Sequence, residues 1–336
     1  MTQTDARTPS VKAAPALGLV VAALGVVYVV WGSTYLGIRV VVEEAPPLTS
    51  MGLRFTTAGV LLGVVLSFKG GVRRLAVRPR ELAGAALLGL MLPMLGNGLV
   101  SVGESKGAPS GATALLIAIA PILIVVFRAL SGDRPNPLSV FGVVLGFVGL
   151  GYLVLAGRGG GDLPLVPALI ILFAATCWGL GSFIQPRLLL PDDVFVTTVY
   201  EMVCGGLIMV SIGLISGERF TGDYSPRTWL ALGYLVVFGS MLAFTAYVWL
   251  LNNAPISLVA TYAYVNPVVA VFLGWLILGE AVTVPIVVGG GIVVLAVAIV
   301  ITAERPRRKP LPETPAPESV DAVVSPHGEA RRGTAD

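Results

Sequence analysis

Leu17-Gly-Leu-Val-Val-Ala-Ala-Leu-Gly-Val-Val-Tyr-Val-Val-Trp-Gly-Ser-Thr-Tyr-Leu36 carries no charge and is apolar on nearly every side of a helix. About 20 such residues, rising about 1.5 Å each, cross a hydrocarbon layer of roughly 30 Å. The same reading recurs at 48–68, 82–102, 112–130, 138–156, 163–184, 194–215, 229–251, 257–278 and 284–303, which predicts ten membrane spans. A β-barrel would require short segments of alternating polarity. Residues 20–30 and 287–300 instead are apolar on both faces of any strand, so the spans are predicted as helices.

Composition agrees. The chain is 55% hydrophobic and only 12% charged over 336 residues, with a mean hydropathy of +0.88, whereas a soluble domain carries roughly 25% charge. The net charge of +3 matters less than where the cations lie. With a cytoplasmic N-terminus, the inner side collects Arg7, Lys12, the 69–80 segment, Arg128, Arg134, Arg187 and residues 305–309, against Arg39, Lys106, Arg158, Arg219 and Arg227 outside. That bias places both termini in the cytoplasm and the protein in the cell membrane, the plasma or inner membrane. The basic 69–80 segment then reads as a short cytoplasmic loop, and no nucleic-acid partner is expected.

Cys177 and Cys204 fall in apolar spans and His327 in the C-terminal tail, so neither a disulfide framework, a metal site nor a histidine relay is expected, and no cofactor. Arg7 and Lys12 before an apolar run imitate a secretory signal. The run is long for a signal core and lacks an A-x-A-like site before Trp31-Gly32, so the first helix is expected to be retained. The tails at 1–16 and 304–336 lack apolar periodicity and are expected to be disordered. The cations at 305–309 read as a topological stop, with contact to anionic lipid head groups as the alternative.

The chain repeats itself once. Trp31-Gly32 recurs as Trp178-Gly179, Arg54 aligns with Glu201, Ala108-Pro109 with Ala254-Pro255, Pro121 with Pro267, Gly132-Asp133 with Gly279-Glu280 and Gly142 with Gly289. The glycine-rich stretch 157–162 is the natural joint between a first repeat at 17–156 and a second at 163–303. Five helices per repeat is an odd number, so the second repeat enters the bilayer from the opposite side. The prediction is an all-α membrane protein of two inverted five-helix repeats around a central cavity. Secondary transporters are built this way, with a midplane site and alternating access by rocking of one bundle against the other.

Trp31-Gly-Ser-Thr-Tyr-Leu-Gly-Ile-Arg39, Ala45-Pro-Pro-Leu48 and Gly52-Leu-Arg-Phe55 resemble the opening of EamA-type transporters of the drug/metabolite transporter superfamily. Trp178-Gly179, Ala254-Pro255, Asn266-Pro267 and Leu278-Gly-Glu280 extend the resemblance to the second half. It implies ten inverted-repeat helices, the fifth and tenth peripheral, moving small metabolites, often amino acids and frequently outward. Leu180-Gly181-Ser182 and Glu201 stand where the first half has Ser33-Thr34 and Arg54, so roles do not transfer simply between halves.

Candidate site residues follow from the cost of polarity in lipid. A charge at mid-span costs roughly 2.5 to 3.5 kcal/mol on insertion scales, so Arg54 should face protein or water. It reads as a bidentate anchor for a substrate carboxylate or as a structural partner. Glu201, its counterpart and by sequence the deepest carboxylate, reads as a proton carrier in a coupled cycle or as a static partner of Arg54 across the pseudo-axis. Pro121 and Pro267 interrupt spans at matching places and read as hinges or as packed kinks. Asn97, Tyr262, Tyr264 and Asn266 offer hydrogen bonds to a polar solute. Trp31 and Trp178, paired by the repeat, offer aromatic surface, as do Tyr35, Tyr200 and Tyr247, while Trp229, Trp249 and Trp275 read as interfacial anchors. Glu43, Glu44, Glu104 and Lys106 read as solvated surface, and Glu280 as a helix-end group. Gly142, Gly146 and 289–291 are expected to serve internal packing, with a homodimer contact as the second reading.

No GxxxxGK[ST], HExxH or GxSxG motif is present, so a nucleotide-driven pump and the common hydrolases lack their residues. The chain is not expected to be an enzyme. A small-molecule substrate and membrane lipid are the expected partners, and an exporter is the leading function. The alternatives are a channel and a membrane-embedded enzyme or scaffold without flux.

Overall fold

The computed structural model describes residues 17–157, 163–254 and 256–304; the two tails, with His327, and most of the joint with Arg158 lie outside the described residues. Among the described residues nine helices are long and apolar enough to cross a membrane, with one shorter. In order they are α1 Leu17–Val42, α2 Pro47–Gly70, α3 Pro79–Ser105, α4 Ser110–Leu130, α5 Pro137–Ala156, α6 Leu165–Arg187, α7 Val194–Ile215, α8 Pro226–Leu250, the shorter α9 Tyr262–Leu278 and α10 Val284–Ala303. All lie in one compact unit.

Local chemistry sets the ends. Pro47, Pro79, Pro137, Pro226 and Pro285 stand in first helical turns, where a missing N–H removes a donor that has no partner there. Asp193 and Ser225 cap α7 and α8 by accepting from the N–H groups of Phe195 and Thr228. After α4 and α9 the chain turns at Gly132 and Gly279 with φ of +94° and +67°, a conformation glycine adopts without the steric cost of a Cβ.

The helices are not uniform. Wide i→i+5 turns occupy Val27–Trp31 in α1, Leu90–Gly98 in α3 and Leu235–Leu242 in α8. The last two fall in the third helix of each repeat. The fourth helices are interrupted too, though differently. In α4 the break lies at Ala118 and Ile119, just before Pro121. In the second repeat a single turn, Ile256–Val259, breaks at Ala260 and Thr261, and Pro267 sits inside the helix that follows. This early break is why the span expected at 257–278 is the short one.

Packing exchanges the halves' roles: α1 lies against α8 and α9, and α6 against α3 and α4, while α2 pairs with α7 and α5 with α10 along their lengths. That reciprocity is the inverted two-repeat architecture. Lipid is as apolar as leucine, so helices meet by close fit rather than by expelling water. At Gly52 an added Cβ would lie 2.7 Å from the Gly206 carbonyl oxygen, and at Gly142 2.8 Å from Val300. Gly146, Gly289 and Gly290 likewise press on Ile122, Leu153 and Leu115, so internal packing accounts for them, whereas Gly291 faces open space.

Carboxylates tie helix starts to the opposite repeat. At the end of the bundle reached after α1, α3, α7 and α9, Glu218 accepts from the Leu48 and Thr49 N–H groups at 3.2 and 2.7 Å. There Glu280 accepts from those of Ser110 and Gly111 at 2.7 and 3.1 Å. Glu44 accepts from the Ser225 N–H and the Thr228 hydroxyl, which hold its carboxyl below the usual range. At the opposite end Glu304 accepts from the Ser139 hydroxyl and Arg128, and Arg74 pairs with Asp193 at 2.7 Å. The Glu280→Ala variant is expected to lose about 1 to 2 kcal/mol, because it removes a charged cap from α4. A thermal-unfolding series of Glu280→Ala and Glu280→Gln in detergent would check this, with the glutamine variant intermediate.

Candidate functional site

The wide turn of α8 brings candidates from three helices together. The Trp31 indole Nε1 donates to the Gly239 carbonyl at 3.1 Å. The Arg54 Nε donates to the neighbouring Ser240 hydroxyl at 3.0 Å. Gly239 keeps that approach close: an added Cβ would stand 3.0 Å from the Thr34 methyl and 3.3 Å from the Arg54 guanidinium.

Arg54 is 4% exposed. Its guanidinium lies 4.6 Å from the Phe55 ring centroid and reaches the Met51 sulfur at 3.7 Å. Among the described residues no carboxylate oxygen lies within 4.0 Å of it, and Glu201 in particular does not pair with it. A guanidinium has five N–H donors. Two contacts, one of them to a weak sulfur acceptor, leave this one equipped for an incoming anion.

An aromatic group adjoins this point. The Trp31 ring lies 5.1 Å from Tyr247 and 5.2 Å from Tyr262, and those two tyrosines are 5.7 Å apart. The Tyr28 hydroxyl bonds the Thr261 hydroxyl at the break before α9. Asn266, with its amide nitrogen turned inward, donates to the carbonyls of Tyr262 and Tyr28 at 3.2 Å each. The Tyr28 carbonyl belongs to the wide turn of α1, so the irregular stretches of α1 and α9 are stitched to one another. Pro267 follows Asn266 and is buried.

The mirrored position is built otherwise. The Trp178 ring packs over Gly96 in the wide turn of α3, 2.6 Å from where a Cβ would stand. The neighbouring Asn97 is half-buried with no hydrogen bond to the described residues. Glu201 is half-buried, its carbonyl against Gly89, and forms no ion pair among the described residues. Trp31, Arg54, Tyr262 and Asn266 therefore converge, whereas Asn97 and Trp178 form a second locus and Glu201 stands apart from Arg54. Pro121 lies half-buried at the restart of α4.

One expectation is corrected. Glu104 is not solvated surface: it is 0% exposed and the most deeply buried carboxylate among the described residues. Its burial comes from the packed ends of α1, α4 and α9, invisible in a helix-end composition. Glu44 is exposed, as expected, and its carboxylate also caps α8. Tyr200 serves as a tie, donating to the Leu75 carbonyl at 2.6 Å. Ser240, Tyr28 and Thr261 were missed. Ser240 had a signal, being a lone hydroxyl after glycine within the apolar run 235–242.

Comparison with known proteins adds family information. The model of the EamA-like transporter family matches twice, over residues 16–155 and 165–302. The chain is 38% identical over 280 residues to the uncharacterized inner membrane transporter YedA of Escherichia coli strain K12, covering 83% of this chain and 89% of that one. It is 24% identical over 272 residues to the uncharacterized transporter YoaV of Bacillus subtilis, covering 79% and 91%. A protein of known crystal structure, 21% identical, shares the fold with a TM-score of 0.58 over 86% of this chain and 99% of its own.

Proposed function

Since this chain belongs to the EamA-like transporter family, we propose that it is a secondary active transporter that exports a small organic metabolite across the cell membrane by alternating access. The family and its relatives make it a multi-pass membrane transporter; solute, direction and mechanism are our reading. The single observation behind the reading is the convergence of Arg54 and Trp31 on Gly239 and Ser240. A buried guanidinium with donors to spare, beside aromatic rings, suits a carboxylate-bearing solute with an apolar portion, such as an amino acid or a related compound.

Alternating access would use the irregular helices. Wide turns and breaks leave backbone groups dependent on neighbours, and such segments are tolerated at membrane depth where they line a cavity or meet protein. The interrupted fourth helices, with Pro121 and Pro267, are the proposed hinges. Asn97 and Trp178 are proposed as solute contacts on the opposite side. On the positive-inside bias, both termini are proposed to face the cytoplasm.

The full chain in liposomes, with a panel of labelled amino acids inside, tests the proposal. The expected result is saturable counterflow stimulated by unlabelled solute on the other side. Unsaturable flux with electrical conductance would replace the carrier by a channel, and product formation would replace it by an enzyme.

A further inference from the structure

Glu104 is a fully buried carboxyl at the end of α3, and among the described residues no donor lies in good hydrogen-bonding geometry to either of its oxygens. Charged and titratable groups reach it from several elements. From α1 come the Tyr35 phenol and Arg39, with Glu43 one turn further along and ion-paired to Arg39 at 3.8 Å. From the end of α9 comes Glu280. Lys106 on the same element is exposed, and α6 contributes apolar Ile171 against Gly103. From α2, Arg54 lies deeper in the bundle and is bonded to Ser240.

None of these supplies a donor to the carboxyl. Arg39 donates to the backbone carbonyl of Glu104 instead. The Thr113 hydroxyl lies beside the carboxyl and is shared with the Pro109 carbonyl, to which it donates at 2.9 Å. Burying a carboxylate without a cationic partner is costly, so the acid form suits this place. A metal ion is poorly served: both Glu280 oxygens are taken by Ser110 and Gly111, and Arg39 adds a positive charge.

Above this point lies a cavity of about 420 Å³, lined among others by Arg39, Glu43, Gly107, Pro109, Arg227 and Glu280. Arg39 thus stands between the cavity and Glu104, and the Glu280 cap closes the seam of α4 and α9 beside it. We propose that Glu104 is a proton-binding site, sealed from this cavity by Arg39, which exchanges its proton with water when the α4–α9 seam opens. On the transporter reading above, on which this step rests, the exchange couples solute movement to a proton gradient, a role the sequence had pointed to at Glu201.

Infrared spectra of the purified full chain, titrated from acid to alkaline pH, test the site without any solute. At neutral pH the protonated-carboxyl band is expected to fall by about one group in Glu104→Gln and to shift in frequency in Glu104→Asp, which serves if the glutamine variant folds poorly. An unchanged band in both variants overturns the proposal. So does disappearance of the wild-type band when sodium replaces choline at fixed pH, which would mark a metal-cation site. In liposomes, Glu104→Gln is expected to flatten the pH dependence of amino-acid flux, and full pH dependence would overturn the coupling. A normal infrared titration with no saturable flux in the wild type would defeat the transporter reading while leaving the proton site standing.

Discussion

Replacing Arg54 by alanine is expected to abolish counterflow of carboxylate-bearing solutes while leaving the protein folded. Hydrogen bonds to a charged group contribute about 1.5 to 3 kcal/mol, so losing the anchor should weaken solute binding by roughly 10- to 150-fold. The scaffold should tolerate the change, because among the described residues Arg54 holds no carboxylate and its polar partners are the Ser240 hydroxyl and the Met51 sulfur. Arg54→Lys should fail nearly as badly, since an ammonium keeps the charge and loses the planar fork. Initial rates in liposomes, paired with size-exclusion profiles of each variant, check both halves of the expectation. Full transport by a well-expressed Arg54→Ala protein would remove the residue from the site.

The second large effect is structural. Gly206→Leu and Gly52→Leu are expected to cost about 3 kcal/mol or more, the upper range for overpacked cores, and to abolish recovery of monodisperse protein. At Gly52 the added carbon would meet the Gly206 carbonyl oxygen, the Val210 amide nitrogen and a Val210 methyl, all at 2.7 Å. Backbone cannot rotate aside as a long side chain can. Gly291→Leu supplies the control: nothing stands within 4 Å of a Cβ there, so yield and melting temperature should stay close to wild type. Equal losses at Gly52 and Gly291 would show that chain flexibility, not the α2–α7 seam, governs the outcome.

The spans were legible because each rests on a one-dimensional property, an unbroken apolar run ended by proline, glycine or charge. The inverted repeat was legible because tryptophan and the proline and glycine pairs recur at a steady offset. Contacts set by register across helices were not. Arg54 and Glu201 share that offset, yet α2 and α7 run antiparallel with Gly52 beside Gly206 and Gly59 beside Met202 and Val203. Glu201 therefore falls near the level of Gly59, more than a turn from Arg54. The wide turns were hidden for a similar reason: Trp31 and Asn266 hold carbonyls of opposing helices, and no local propensity records such a bond. Glu104 looked like an ordinary charged helix end because its cover comes from segments distant in the chain.

The carboxylate caps also bear on biogenesis. Glu218 and Glu280 satisfy the starts of α2 and α4, yet each is synthesised well after the helix it serves. While the ribosome is still working on the second half, those two helix starts must rely on interfacial water. Maturation of the first repeat is thus completed from the far end of the message, one cap at a time.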